Sequence, residues 1–388
     1  EEIKRLKLTI DKIRELTEGY EDKVEFYVEK LAEGIATIAA GVWKELSDGE
    51  IAPCVVRLSD FKTNEYENLI GGWFYESDEN NPMLGFRGAS RYVSDDFQNA
   101  FILELKAIKK ARKWGLINIV PMIPFCRTPE EATQIEQIMK SEGLIRGENG
   151  LRVYCMAEIP SNIFLADVFC KTFDGFSIGS NDLTQLIYGA GRDNEKLNTL
   201  SKNYNYITNS EAIRRAVSHL IKVAHDNNRK VGICGQAPSD DPEFLRFLVR
   251  EGIDSISLNF DTFARGRINT WRTEIIEKYL SNNEKDLAYN FLTQCDELIE
   301  KLRIPRGKLR NLGRKKRKRI SENLSNSISK FDDIFESTIN ISNEFVENVD
   351  LGKLKDYSEL YKEYFNQLQS HNELIPELMR SIHEFGIY

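Results

Sequence analysis

The sequence lacks several features that would assign the chain to a particular class of protein. None of its apolar runs approaches the about 20 residues that a membrane-spanning helix needs, and no amino-terminal signal peptide is visible. The four histidines lie in polar segments of helical character, so none follows a strand as a base or a metal ligand would. The six cysteines have no CxxC spacing and four of them lie inside apolar runs, so we expect mostly buried thiols in a reducing cytoplasm.

The composition is that of an ordinary globular protein. The chain has 388 residues, of which 41% are hydrophobic and 29% are charged. This length predicts either one large domain together with something smaller, or two domains. The net charge of −8 gives no general reason to expect nucleic-acid binding. The chain begins with two glutamates rather than methionine, so we expect a fragment or a processed product.

Seven short apolar runs are spaced as strands that alternate with helices. Each run leads into a charged or reactive residue, and each interval is long enough for a crossover helix, which predicts a parallel sheet. The predicted strands are Val55–Val56, Met83–Phe86, Ile117–Phe125, Val153–Ala157, Phe176–Gly179, Val231–Ile233 and Ile253–Leu258. The predicted helices between them are 94–114, 129–142, 160–172, 210–227 and 240–251, and two more precede them within 1–30 and 25–46. The pattern is typical of a (β/α)8 barrel with its chemistry at the carboxyl ends of the strands. Its missing first strand is expected upstream of Glu1, unless the amino-terminal helices close the barrel differently.

The character of the sequence changes after residue 283, where glycines become few and strand-like runs stop. We therefore predict a barrel domain over residues 1–283 and an all-α extension of three or four helices over 284–388. The basic stretch 303–319 could contact nucleic acid or an acidic partner. No aromatic residues interleave with its cations, which favours a solvated linker and makes nucleic-acid binding unexpected.

Arginines follow two of the predicted strands directly. Arg57 comes after Val55–Val56, and Arg87 comes after Met83–Phe86. Guanidinium groups at a barrel mouth suit the bidentate capture of a carboxylate or a phosphate. A lone arginine in such a place more often forms a surface ion pair, but two at matching positions on neighbouring strands favour an anionic ligand.

Two carboxylates and one thiol also follow strands. Glu158 and Asp182 lie at adjacent strand ends and suit Mg²⁺ or Mn²⁺, although Asp182 could instead cap a helix and Glu158 could be paired. Cys234 ends a strand just before a proline-containing turn, where a substrate could contact its sulfur. A small buried hydrophobe is the commoner role for a cysteine, so the residues alone leave both alternatives open.

Six segments together resemble the phosphoenolpyruvate synthases and, more broadly, the phosphoenolpyruvate-utilising enzyme family. They are Arg57-Leu-Ser-Asp-Phe-Lys-Thr-Asn-Glu-Tyr, Asn81-Pro-Met-Leu-Gly-Phe-Arg-Gly-Ala, Met122-Ile-Pro-Phe-Cys-Arg-Thr, Glu158-Ile-Pro-Ser-Asn, Gly175-Phe-Ser-Ile-Gly-Ser-Asn-Asp-Leu-Thr-Gln and Gly232-Ile-Cys-Gly-Gln-Ala-Pro-Ser-Asp. The resemblance is collinear from about residue 15 to about residue 265. It implies the family's carboxyl-terminal barrel, which binds pyruvate and phosphoenolpyruvate.

The resemblance implies a role for each candidate residue. Glu158 and Asp182 would hold Mg²⁺, and Cys234 would deliver and remove the proton at the methyl carbon of pyruvate. Arg57 and Arg87 would act in catalysis and bind the phosphoryl group and the substrate oxygens. Further substrate or phosphate contacts would come from Asn181, Arg192 and Arg127.

The implied reaction moves a phosphoryl group between a phosphohistidine and the enolate of pyruvate, as in a pyruvate, water dikinase. The family's Gly-Gly-x-Thr-Ser-His segment and ATP-binding region are absent from this sequence. The phosphohistidine domain would therefore act in cis or in trans, and ATP would be used only by a domain outside this chain. The resemblance also implies a homodimer through the barrel.

An alternative function belongs to a different class, namely a phosphoenolpyruvate- or pyruvate-sensing or scaffold module in a larger assembly. The unfamiliar residues 284–388, as a partner-binding surface, favour this alternative, whereas the intact set of site residues favours catalysis. A sensor needs no thiol, so the two hypotheses differ in whether Cys234 is required.

Overall fold

A computed structural model of the chain describes residues 2–47, 49–191, 194–200, 210–315, 322–350 and 357–384. The chain divides into two compact units, Glu1–Gly266 and Arg267–Tyr388. No helix in the described ranges is long and apolar enough to cross a membrane.

The first unit is built on a six-stranded parallel sheet. Its strands are β1 Cys54–Arg57, β2 Ile119–Ile123, β3 Tyr154–Ala157, β4 Gly175–Ile178, β5 Lys230–Ile233 and β6 Ser255–Ile256. They lie side by side in chain order and each pairs with the next in parallel. This sequential winding is that of a barrel and not of a doubly wound sheet, where the order reverses at a switch point. The predicted α/β barrel architecture is confirmed, as a half-barrel.

Thirteen helices of the first unit precede, connect or follow these strands among the described residues. They are α1 Glu2–Leu16, α2 Lys23–Gly41, α3 Thr63–Glu67, α4 Ala89–Tyr92, α5 Gln98–Lys113, α6 Pro129–Ser141, α7 Pro160–Phe164, α8 Ala166–Phe169, α9 Ser180–Tyr188, α10 Glu195–Leu200, α11 Glu211–Asp226, α12 Ala237–Asp240 and α13 Pro242–Arg250. Most predicted helices agree with these bounds to within a few residues, while the predicted helix 160–172 is two short helices. The apolar faces of the helices pack on the sheet around fully buried side chains such as Phe101, Phe176 and Leu220, which is the burial that stabilises the layers.

The predicted strand Met83–Phe86 is wrong. This run lies in a turn-rich loop between a short 3-10 helix, Gly72–Phe74, and α4. The Phe86 amide donates to Glu79 Oε1 at 2.8 Å and so bonds to a side chain instead of a neighbouring strand. The run is therefore held as a loop, and Arg87 is presented by that loop.

The second unit is helical, as predicted. Its helices are α14 Phe263–Tyr279, which begins in the first unit, α15 Asn282–Lys315, α16 Glu322–Asp350 and α17 Tyr357–Glu384. The boundary of this unit lies before residue 283, because Ile276 and Leu280 pack with Phe291 and Phe345 in its own core. The basic stretch 303–319 lies in α15 as far as Lys315. Beyond residue 303 only its backbone is described there, because the side chains lie outside the described part.

Candidate active site

The carboxyl ends of the strands surround a cavity of about 410 Å³. Arg57 ends β1, Glu158 follows β3, Asn181 and Asp182 open α9 just after β4, and Cys234 follows β5. The cavity is lined by Val55, Arg57, Met122, Met156, Glu158, Gly179, Asn181, Asp182, Cys234 and Gly235. Five residues that the sequence singled out therefore meet in one place, because parallel strands deliver their carboxyl ends to the same edge of the sheet.

Two carboxylates that line this cavity, those of Glu158 and Asp182, lie beside a third, that of Asp60. Oxygens of Asp60, Glu158 and Asp182 all lie within 4.8 Å of one another. Burial, and then the neighbouring charges of Asp60 and Asp182, raise the pKa of Glu158 well above its usual value. Burial also raises the pKa of Asp60, although contact with Arg87 opposes this. Ionisation of Glu158 and of Asp60 is therefore unfavourable here, and nearby positive charge would favour it.

Arg87 supplies part of that positive charge. Its Nε and Nη2 donate to Oδ1 and Oδ2 of Asp60 at 3.1 and 2.8 Å, and Nη2 also donates to Asp182 Oδ2 at 2.9 Å. The side chain is 3% exposed. A paired fork of this kind fixes the plane of a guanidinium group, so Arg87 is held against the acidic cluster.

The remaining acidic oxygens fit a divalent cation. Glu158 Oε1 accepts a hydrogen bond from the Phe125 amide at 2.7 Å, whereas the buried Oε2 has no hydrogen-bond partner among the described residues. Gly179 leaves room beside it, since a Cβ there would lie 2.9 Å from that oxygen. A buried carboxylate oxygen without a partner suits a hard cation. Glu158, with Asp182 and Asp60 beside it, could therefore hold a metal ion, while Asp182 Oδ2 and both oxygens of Asp60 also accept from Arg87.

Cys234 is the one cysteine of the six that is not buried. Burial raises the pKa of its thiol, and Glu158 adds to this, while a hydrogen bond with Ser177 and the charge of Arg57 lower it. Burial has a larger effect on the pKa of this thiol than the opposing charge of Arg57. The group is therefore a protonated thiol at neutral pH, facing the cavity.

The other candidate residues lie in three different settings. Arg57 lines the cavity, its side chain is 48% exposed, and its Nη1 lies 3.5 Å from Asp60 Oδ2. Arg127 does not line the cavity; its guanidinium group donates to the carbonyls of Gly85 and Arg87 at 2.5 and 3.1 Å. Arg192 lies outside the described residues.

Two residues of the site were not predicted from the sequence. Asp60 lies in the quoted segment that begins at Arg57, but it falls three residues beyond the strand end, where the strand pattern carries no signal. Phe125 lies at the end of an apolar run that predicts a buried core position, and nothing in that run indicates its contact with Glu158.

Comparison with known proteins shows which family this sequence resembles. Residues 23–275 match the model of the PEP-utilising enzyme family, PEP-binding domain. Over 261 residues the chain is 56% identical to a phosphoenolpyruvate synthase of Aquifex aeolicus, covering 67% of this chain and 29% of that protein. Over 262 residues it is 48% identical to a phosphoenolpyruvate synthase of Escherichia coli K12, covering 67% and 31%. The chain thus spans less than a third of the length of these relatives.

Among solved structures, an HpcH/HpaI aldolase from Desulfitobacterium hafniense matches 47% of this chain and 80% of its own at 12% identity, with a TM-score of 0.28. A score this low supports no conclusion about the fold. The family model, in contrast, matches well over half of the chain. This chain belongs to the PEP-utilising enzyme family, through that family's PEP-binding domain.

Proposed function

We propose that the cavity at the strand ends binds pyruvate and phosphoenolpyruvate and catalyses phosphoryl transfer between a phosphohistidine on another domain and the enolate oxygen of pyruvate. The observation that carries this proposal is the meeting of two carboxylates, an arginine, an amide side chain and a thiol around a single cavity of about 410 Å³. These groups suit a small anionic substrate that must lose a proton before it accepts a phosphoryl group.

Glu158 and Asp182 are the residues that would hold Mg²⁺, or Mn²⁺ in its place. When bound, this ion would stabilise negative charge on the carboxylate and enolate oxygens of the substrate. The exposed guanidinium group of Arg57 can approach a phosphoryl group that enters the cavity, while Arg87 is buried against Asp60 and Asp182. Arginine beside a transferring phosphoryl group stabilises its developing charge.

Cys234 would move the proton at the methyl carbon. Toward pyruvate, the phosphorus–oxygen bond of phosphoenolpyruvate breaks, the phosphoryl group passes to the histidine, and the thiol protonates the methylene carbon. Toward phosphoenolpyruvate, the thiolate takes a methyl proton and the enolate oxygen attacks the phosphorus as the bond to histidine breaks. The raised pKa of the thiol favours the protonated form that the first direction needs.

Calorimetric titration with oxalate, an analogue of the pyruvate enolate, tests this proposal. The chain is expected to bind oxalate only with Mg²⁺ or Mn²⁺ present, and Glu158→Gln is expected to abolish this binding. Glu136→Gln is the matched control, because Glu136 pairs with Arg146 and does not line the cavity. Absence of oxalate binding by the unaltered chain under any metal condition would overturn the proposal.

A further inference from the structure

Phe125 has a backbone conformation that an aromatic residue rarely adopts. Its φ is 49°, and the other non-glycine residues with positive φ in the described ranges are asparagines, Asn149 and Asn228. Asparagine tolerates this left-handed region, whereas a bulky side chain is strained there. Strain of this kind persists only where the surroundings determine it, and it concentrates at functional sites.

The strained backbone presents the Phe125 amide to the acidic cluster. This amide donates to Glu158 Oε1 at 2.7 Å. The bond occupies one oxygen of the carboxylate and leaves the other, Oε2, without a partner among the described residues. The conformation of Phe125 therefore determines which oxygen of Glu158 is available for a ligand.

The ring of Phe125 contacts two guanidinium groups. Its centroid lies 4.1 Å from Arg87 Cζ and 4.7 Å from Arg127 Cζ. Burial, and also the charge of Arg87, lower the pKa of Arg127, which means that the like charges are close enough to repel. The electron-rich face of an aromatic ring stabilises such cations where water cannot reach them.

The Cβ of Phe125 and the carbonyl of Pro124 also abut the loop that presents Arg87. Gly88 has a φ of +59°, and a Cβ at that position would lie 2.6 Å from Phe125 Cβ and 2.5 Å from the carbonyl oxygen of Pro124. That same carbonyl accepts from the Ala89 amide at 3.1 Å. The backbone at Gly88 therefore lies so close to the backbone of Pro124 and Phe125 that a side chain at position 88 would not fit.

We propose that Phe125 is a positioning residue for this site. Its amide orients Glu158, and its ring holds Arg87 and Arg127 together so that Arg127 can clamp the loop through the carbonyls of Gly85 and Arg87. Its importance for ligand binding rests on the function proposed above, but its effect on the loop does not.

Hydrogen exchange of the intact chain tests the effect on the loop without any ligand. In Phe125→Leu, the amides of residues 83–90 are expected to exchange about tenfold faster, because the ring that offsets the repulsion of two cations is lost. Replacement of Phe125 by pentafluorophenylalanine, which keeps a ring but removes its electron-rich face, is expected to act in the same direction. The control is Phe173→Leu, which removes a ring buried elsewhere in the same unit, 1% exposed, and is expected to leave this segment unchanged.

Unchanged exchange of residues 83–90 in Phe125→Leu would overturn the proposal, and so would equal acceleration in Phe173→Leu. If residues 83–90 exchange faster in Phe125→Leu but not in the pentafluorophenylalanine variant, the electrostatic role of the ring would be overturned.

Oxalate affinity in the presence of Mn²⁺ gives the second measurement. Phe125→Leu is expected to weaken it about tenfold, a size that the loss of one buried cation–π contact allows, and Phe173→Leu is expected to leave it unchanged. If the unaltered chain binds no oxalate, the proposed function fails, while hydrogen exchange still decides whether Phe125 positions the loop. If the unaltered chain and Phe125→Leu bind oxalate equally, the positioning role fails and the function stands.

Discussion

Cys234 lines the cavity, and burial raises the pKa of its thiol and so favours the protonated form. A protonated thiol has a proton to donate, and it can accept one only after it has ionised. Its proposed chemistry should therefore be separable from the proposed binding of oxalate, because oxalate has no methyl or methylene carbon that exchanges a proton.

Replacement of Cys234 by alanine is expected to leave metal-dependent oxalate binding nearly intact. It should slow the exchange of pyruvate methyl protons with solvent by about 10²–10⁴-fold, the usual contribution of a positioned acid or base. Loss of the methyl proton signal in D₂O measures this exchange, and Cys170→Ala, at a buried thiol, is the control. Equal loss of binding and exchange would contradict the assignment.

The pH dependence of the same exchange depends on the raised pKa of the thiol. Proton abstraction needs the thiolate, and below the pKa its fraction grows about tenfold per pH unit. The exchange rate is therefore expected to rise with pH through neutrality and into the alkaline range. A rate that falls over this range would contradict Cys234 as the base, and Cys234→Ala should show no such slope.

At the scale of single residues, the sequence pattern located candidate side chains that stand directly after strands. It reached Arg87 only through a predicted strand that is a loop, and it missed Asp60 and Phe125. Arg57, Glu158 and Cys234 were located because apolar runs indicate where strands end. Asp60 stands in a loop, where no periodicity marks a functional residue. Phe125 is apolar within an apolar run, and its role depends on a backbone angle that the pattern cannot reveal.

At the scale of elements, the turn from β4 into α9 depends on a glycine. A Cβ at Gly179 would lie 2.7 Å from Met156 Cε and 2.8 Å from Glu158 Cβ. These distances are shorter than real side chains tolerate, so a larger residue must displace the Glu158 carboxylate. The strand end and the helix start can approach the acidic cluster this closely only because one residue has no side chain.

Gly179→Ala is expected to weaken Mn²⁺ affinity by about 10–100-fold, the range for residues that orient metal-binding groups. Gly34→Ala is the matched control, since Gly34 is exposed in α2 with no atom within 4 Å of an added Cβ. That change should stabilise the chain by about 0.5–1 kcal/mol through better helix propensity. Titration with Mn²⁺ and thermal unfolding measure both effects, and equal Mn²⁺ affinity in the two variants would contradict the role of Gly179.

Helices and buried strands were predictable because their apolar periodicities differ, and α6 shows how local signals add to this. Thr128 and Glu131 form a capping box around Pro129 at its start, so its first turn could be placed from sequence. The run Met83–Phe86 is apolar and short, which is equally consistent with a strand and with a loop held by side chains. Only the tertiary bond from Phe86 to Glu79 decides between them.

At the scale of the molecule, the chain has separate apolar cores in its two units. In the helical unit, Phe291 is fully buried and its ring lies 4.9 Å from that of Phe345. The composition changes at residue 283, after α14, whereas the division between the two compact units falls after Gly266, within that helix. Composition averages over a window and so cannot locate a boundary inside a helix.

Phe291→Ala is expected to destabilise the helical unit by about 3–5 kcal/mol, the cost of removing a buried aromatic side chain. The amides of α15 and α16 should then exchange faster with solvent, while metal-dependent oxalate binding by the first unit is retained. Phe335→Ala, at a partly buried ring beside the same core, should destabilise the helical unit by a smaller amount. Loss of oxalate binding in Phe291→Ala would contradict a role confined to the helical unit.

The single thiol at the cavity also makes the site chemically addressable. Five of the six sulfurs are buried, so a small alkylating reagent should label one position of the folded chain, slowly at neutral pH and faster as the thiolate forms. The mass of one adduct would then report how many molecules have an empty cavity, and oxalate with Mg²⁺ should protect them. Occupancy could be counted in this way without any turnover.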